Sequence, residues 1–199
     1  VLREPRARIV SLYRYWRAQA ALDLGWNGMN AAVLAAQRLS LAEFLQSDDP
    51  LILDYIDNFY VRRLTGQYRS FGADALALHP QACLAEAQRT LAQFDFVGIC
   101  EDMAGTLAGL ASRLDFPPPK HIHRVNASPG EPSPAADPAV AASLAHLTRL
   151  DREIYVAAVA RFASGGQGVT RKRAARDALD PPGAGAPGPA FQRCISQSS

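Results

Sequence analysis

Apolar residues along this chain recur mostly at the three- and four-residue spacing of helices. Val1-Leu2 is a short apolar stub that reads as the end of a strand, and it runs into Arg3-Glu4-Pro5. Proline suits the first turn of a helix, where its missing N–H costs nothing. From Pro5 a helix is predicted, with Ile9, Leu12, Tyr13 and Trp16 as its core stripe. Leu24–Asn30, with two glycines and two asparagines, reads as a loop, and Ala31–Arg38 as a short helix. Ser40 and Glu43 have the spacing of a capping box, opening a helix that ends by Ser47. One helix is predicted from Pro50 to Leu64, ended by Gly66. Gln67–Leu78 looks irregular, and Pro80–Phe94 is a helix with Cys83, Leu84, Ala87 and Leu91 on one side.

Phe96-Val97-Gly98-Ile99-Cys100 is a continuous apolar run of strand length between two helical segments, the second being Met103–Leu114. A buried strand placed so points to a parallel sheet covered by helices. The expected fold class is therefore α/β, a parallel sheet flanked by helices, helix-rich and incomplete at its N-terminus. After Pro117-Pro118-Pro119 a polar loop runs to about Asp137, followed by helices over Pro138–Leu147 and Leu150–Ala163. Asp151 near the start of the last one suits a helix N-terminus. Residues 164–199 shift to glycine, proline and basic residues, a composition expected to form a disordered tail. The heavy use of alanine inside the other segments favours helix.

Composition narrows the function classes. Lys+Arg 21 against Asp+Glu 19 leaves +2, too balanced for a nucleic-acid or membrane surface. The three cysteines are far apart and odd in number, giving neither a metal knuckle nor a disulfide framework, so a reducing, cytoplasmic setting is expected. No apolar run approaches the ~18 residues of a membrane span, and no signal peptide is seen. Because the chain opens on Val, the true N-terminus is expected to lie upstream.

Chemistry concentrates at three places. The first is Arg3-Glu4-Pro5 with Arg8 and Ser11. In open α/β sheets ligands bind beyond the carboxyl ends of strands, which is where Arg3 would sit. Arg8, Ser11 and Tyr15 fall within about 60° of one another on the helix, apart from the core stripe. A strand-end guanidinium and a hydroxyl two turns along can grip one phosphate, which would lie along the helix flank. The bland alternative is a solvated basic helix.

The run Leu-Arg-Glu-Pro-Arg-Ala-Arg-Ile-Val-Ser-Leu-Tyr (residues 2–13) resembles the 3′-phosphate-binding motif of the sulfotransferases that use 3′-phosphoadenosine 5′-phosphosulfate (PAPS), especially carbohydrate-type enzymes and their bacterial relatives. Glu4 stands where aspartate is commoner. Asn58-Phe59-Tyr60-Val61-Arg62-Arg63-Leu64-Thr65-Gly66 is similar to the family's Asn-x-x-x-Arg-x-Leu-x-Gly segment, and Val97-Gly98-Ile99-Cys100-Glu101 to its Val-Gly-x-x-Glu segment. The resemblance covers residues 1–163. It implies a P-loop nucleotide-kinase-like fold, with Arg3 and Ser11 holding the 3′-phosphate of PAPS. It also implies transfer of a sulfuryl group to an acceptor hydroxyl, of a carbohydrate by analogy. Arg62 and Arg63 would then lie near the acceptor channel and meet an anionic sugar, or form a solvated helix face.

The second place is Arg124-Val125-Asn126-Ala127-Ser128, similar to a late family loop that closes over the nucleotide. Arg124, Asn126 and Ser128 are assigned there by that resemblance, against a plain hydrogen-bonded turn. The third is His121 and His123, candidates for a general base, with no third ligand to suggest a metal. The family's 5′-phosphosulfate loop and catalytic base belong upstream of Val1, so this chain alone is expected to be inactive. The rival reading is a non-enzymatic helical interaction module whose basic first helix meets an anionic partner.

Overall fold

Helix α1 spans Pro5–Ala18 and begins where local chemistry requires. Glu4 is its N-cap, accepting from the Ala7 amide at 2.7 Å, and Pro5 fills the first turn. Ile9, Tyr13 and Trp16 are buried along one side, with Leu12 partly buried beside them, as the periodicity predicts. The computed structural model describes residues 1–19, 27–118, 121 and 137–165. The further helices are α2 (Asn27–Arg38), α3 (Leu41–Leu45), α4 (Pro50–Ile56), α5 (Phe59–Thr65), α6 (Ala75–Leu78), α7 (Pro80–Gln93), α8 (Met103–Leu114), α9 (Pro138–Leu147) and α10 (Arg149–Ala163). Single 3-10 turns lie at Arg69–Phe71 and Cys100–Asp102. The Ser40–Glu43 capping box forms at α3, and Cys83, Leu84, Ala87 and Leu91 are the buried side of α7.

The expected α/β class, with its parallel sheet and nucleotide-kinase-like layering, is overturned. Among the described residues there is no sheet, only one isolated parallel bridge from Leu2 to Ile99. It consists of the Leu2 amide donating to the Gly98 carbonyl at 2.8 Å and the Cys100 amide donating to the Leu2 carbonyl at 2.7 Å. The other edge of Ile99 is closed by a side chain. Thr106 of α8 accepts from the Ile99 amide at 2.8 Å and donates to the Ile99 carbonyl at 2.9 Å. Those are the two groups a second strand would need. On the Leu2 side the chain turns into α1 within three residues. Gly98 is required at this contact, because a Cβ there would lie 2.4 Å from Thr106 Cγ2. The 96–100 run is thus buried and extended as its composition suggests, with helices rather than strands around it.

Two apolar cores result. One gathers Ile9, Tyr13, Trp16, Val33, Phe44, Ile56 and Leu144, from α1, α2, α3, α4 and α9. The other gathers Tyr60, Val61, Leu84, Ala87, Ile99 and Ile154, from α5, α7, the bridge segment and α10. Helices α1 and α2 pack together, α3 packs on α9, and α5 and α10 pack on each other and on α7. The helix predicted over Pro50–Leu64 is two helices. Asp57 and Asn58 break it, and Asn58 takes a left-handed conformation with φ 46°. Asn27–Asn30, predicted as loop, begin α2, and the 67–78 segment contains a 3-10 turn and the single turn of α6.

Candidate functional site

A polar seam separates the two cores, and it is built where α4 meets α5 and α9 meets α10. Asn58, Asp57, Thr148 and Asp151 are all buried there. The helices α5 and α10 exchange caps across it. Asn58 Oδ1 accepts from the Leu150 amide at 2.8 Å, and the Asn58 amide donates to the Leu147 carbonyl at 2.6 Å. In return Asp151 Oδ1 accepts from the Val61 amide at 3.0 Å in the first turn of α5. Side-chain oxygens on each helix so satisfy orphan amides on the other. The left-handed turn at Asn58 is the backbone conformation of this exchange, one that asparagine tolerates better than most residues.

Arg3 and Glu4 are held against this seam from three directions. The Tyr60 hydroxyl accepts from the Arg3 amide at 2.9 Å and donates to the Arg3 carbonyl at 2.8 Å. Glu101 Oε1 accepts from the Glu4 amide at 2.9 Å, and Glu101 Oε2 accepts from the Tyr155 hydroxyl at 2.9 Å. The bridge fixes Leu2 just before them. The amides of Arg3, Glu4 and Ala7 are therefore all engaged by protein side chains, which leaves these three unavailable to an anion at the start of α1. The Arg3 guanidinium itself is half-buried and makes no hydrogen bond or ion pair with any described residue. Ser11, two turns into α1, is likewise half-buried with no partner among the described residues.

Arg8 lies between them in sequence and is inward. Its guanidinium sits 4.0 Å from the Phe59 ring centroid and 5.8 Å from that of Tyr60, and one Nη donates to the Tyr55 carbonyl. Its Nε is buried without a partner. Burial pulls the Arg8 pKa down, and the nearby Asp151 charge opposes that pull. Asp151 is 1% exposed, and its Oδ2 also has no partner. Burial raises its carboxyl pKa to about 6, against the opposing effect of the α5 amides and Arg8. Burial also pushes the Tyr60 phenol up to about 12, so it stays protonated and donates to Arg3 at any ordinary pH.

The remaining expected site residues separate. Arg62 is 0% exposed and engages all its donors. Nε donates to the Asp57 carbonyl at 2.8 Å, Nη1 to the Gln67 carbonyl at 3.1 Å and Asp74 at 3.0 Å, and Nη2 to Asp57 at 2.5 Å and Asp74 at 3.2 Å. This corrects the expectation that Arg62 meets an anionic sugar or solvent, since no donor is left for either. Arg63 is exposed, with its guanidinium 5.1 Å from the Phe59 and Tyr68 ring centroids and 5.6 Å from that of Tyr55. Its Nη1 donates to the Tyr68 hydroxyl at 3.2 Å. His121 is exposed. Arg124, Asn126, Ser128 and His123 lie outside the described residues, as does all but the start of the 164–199 segment. Tyr60, Glu101 and Asp151 are the members of the site that residue-type reasoning missed. Two of them stood inside the quoted motifs, and their role depends on contacts spanning 57 and 97 positions.

Among the described residues no group of three or more His, Cys, Asp or Glu side chains is arranged to hold a metal ion, and no helix is long and apolar enough to cross a membrane. No protein-family model, curated protein or solved structure matches this chain.

Proposed function

We propose that this chain binds the 3′-phosphate of PAPS through Arg3 and Ser11, as part of a sulfotransferase that transfers the sulfuryl group to an acceptor hydroxyl. One observation carries the reading. Three segments that resemble sulfotransferase motifs separately, and lie far apart in sequence, converge on the Arg3–Glu4 dipeptide. Tyr60 of the second clamps Arg3, and Gly98 and Glu101 of the third hold Leu2 and Glu4. A backbone fixed this thoroughly, bearing an arginine with no partner among the described residues, is what an anion site needs. None of those residues occupies its planar fork of donors, and its anchor is preorganised.

With the amides of Arg3, Glu4 and Ala7 already taken, the anion is directed to the guanidinium and the helix flank. Arg8 adds positive charge from the interior, with its guanidinium stacked on the Phe59 ring. In the reaction, the acceptor oxygen forms a bond to sulfur while the bond from sulfur to the bridging phosphate oxygen breaks. Adenosine 3′,5′-bisphosphate leaves, and the acceptor proton passes to a base. Arg3 and Ser11 act by holding the nucleotide still, which aligns the sulfur for attack. Arg63 is the basic group available on the acceptor side.

The test is ligand-induced stabilisation of the full chain by adenosine 3′,5′-bisphosphate. At 100 times the dissociation constant the folded state gains about 2.7 kcal/mol, visible as a rise in melting temperature. Absence of any shift at millimolar ligand contradicts the reading.

A further inference from the structure

We propose that Tyr60 is a positioning residue for the anion held at Arg3, acting by fixing both the amide and the carbonyl of that one residue. The inference rests on the reading of Arg3 as an anion ligand and adds a residue to it. A hydroxyl that both accepts from and donates to the same residue pins the peptide groups on either side of its Cα, at 2.9 and 2.8 Å. The next amide, that of Glu4, is pinned by Glu101, which Tyr155 holds in turn. The direction of the Arg3 Cα–Cβ bond is thus set before any ligand arrives. The backbone entropy that an arginine on an unrestrained segment would lose on binding is largely spent in folding, and only the side-chain rotamers are left for the ligand to order.

Core packing does not explain the hydroxyl. The Tyr60 ring is buried in the α5–α7–α10 core, edge-on to Phe59 at 5.8 Å, and a phenylalanine ring would fill the same space. What phenylalanine would lose is the two hydrogen bonds to Arg3. The phenol is also anchored at its far end. Tyr60 belongs to the first turn of α5, where Asp151 caps the adjoining Val61 amide. The chain of restraint runs from α10 through α5 to Arg3.

The experiment is a double-substitution cycle in the full chain with Tyr60→Phe, Arg3→Ala and the pair, titrated with adenosine 3′,5′-bisphosphate and with inorganic sulfate. Tyr60→Phe is expected to weaken bisphosphate binding about tenfold, the order expected on removing a buried hydrogen-bonding group. In the Arg3→Ala background it should add nothing, a coupling that general loosening of α5 would not produce. The Arg3 amide should be protected from hydrogen exchange in the native chain and lose that protection in Tyr60→Phe. Native affinity in Tyr60→Phe, or an equal loss with and without Arg3, overturns the positioning role while leaving Arg3 as a ligand. Failure of Arg3→Ala to weaken binding overturns both. If Tyr60→Phe does not fold, exchange at the native Arg3 amide decides. Slow exchange that slows further with ligand supports the clamp, and unprotected exchange overturns it.

Discussion

Replacing Asp151 with asparagine tests the seam on which the site is built. In the native chain Asp151 is buried, caps the α5 amides with one oxygen and leaves the other without a partner. Burial moves its carboxyl from the ordinary 3.8 to about 6. The folded state therefore binds this proton more tightly than the unfolded chain does. Between about pH 4 and 6 the folded protein holds more protons, so stability falls as pH rises through that window, and the full penalty is present above it. Each pKa unit corresponds to about 1.4 kcal/mol, which makes the penalty on the ionised form about 3 kcal/mol at neutral pH. Asparagine keeps the capping oxygen and does not ionise. Urea unfolding of both proteins at intervals from pH 4.5 to 7.5 isolates the effect, because other carboxyls cancel in the difference. The stability of Asp151→Asn minus that of the native chain should climb by about 2 kcal/mol over this range, most of it below pH 6, and then level off. A difference that stays flat, or falls as pH rises, would show that Asp151 is ionised and well paired in the folded state, and would refute the account of the seam.

Two further substitution pairs follow from the packing. Arg62→Ala removes the buried cation shared by Asp57 and Asp74, leaving them only the partly exposed Arg69, and should cost about 3 kcal/mol in urea unfolding, whereas Arg63→Ala should cost about 1 kcal/mol or less. Equal costs would contradict the assignment of one to the interior and the other to the surface. Gly98→Ala should destabilise by about 1–3 kcal/mol, because the new methyl meets Thr106 Cγ2 at 2.4 Å. Thr106→Ser removes that methyl and keeps the hydroxyl on Ile99, so the double variant should melt above Gly98→Ala alone. A lack of rescue would mean that the clash lies elsewhere.

The local signals in the sequence were legible where they depend on neighbours. The Pro5 start of α1, the Ser40–Glu43 box and the buried side of α7 follow from spacing and capping chemistry. The errors came where distant partners decide. The break at Asn58 is held by Leu147 and Leu150, and nothing nearby marks it beyond a turn-prone Asp-Asn pair. The apolar run at 96–100 was legible as buried and extended. Whether it joins a sheet depends on what occupies its second edge, and Thr106 takes that edge. Asp151 read as a charge for its own helix, yet it caps a different one. Arg62 and Arg63 look alike in sequence. Asp74, twelve positions from Arg62, decides between them together with Asp57. At the candidate site Arg3 and Ser11 were legible as residue types in a pattern. The clamp of Tyr60 and Glu101 that gives the pattern its rigidity was not.

The most direct measurement compares adenosine 3′,5′-bisphosphate with adenosine 5′-phosphate by calorimetric titration, in the native chain and in Arg3→Ala. The two ligands differ only in the 3′-phosphate. The native chain is expected to prefer the bisphosphate by tenfold or more, on the order of one charge-assisted hydrogen-bonded pair, and Arg3→Ala to cut the preference to the small part that Ser11 retains while leaving the weaker ligand's affinity unchanged. Equal affinity for the two in the native chain, or an undiminished preference without Arg3, would contradict it.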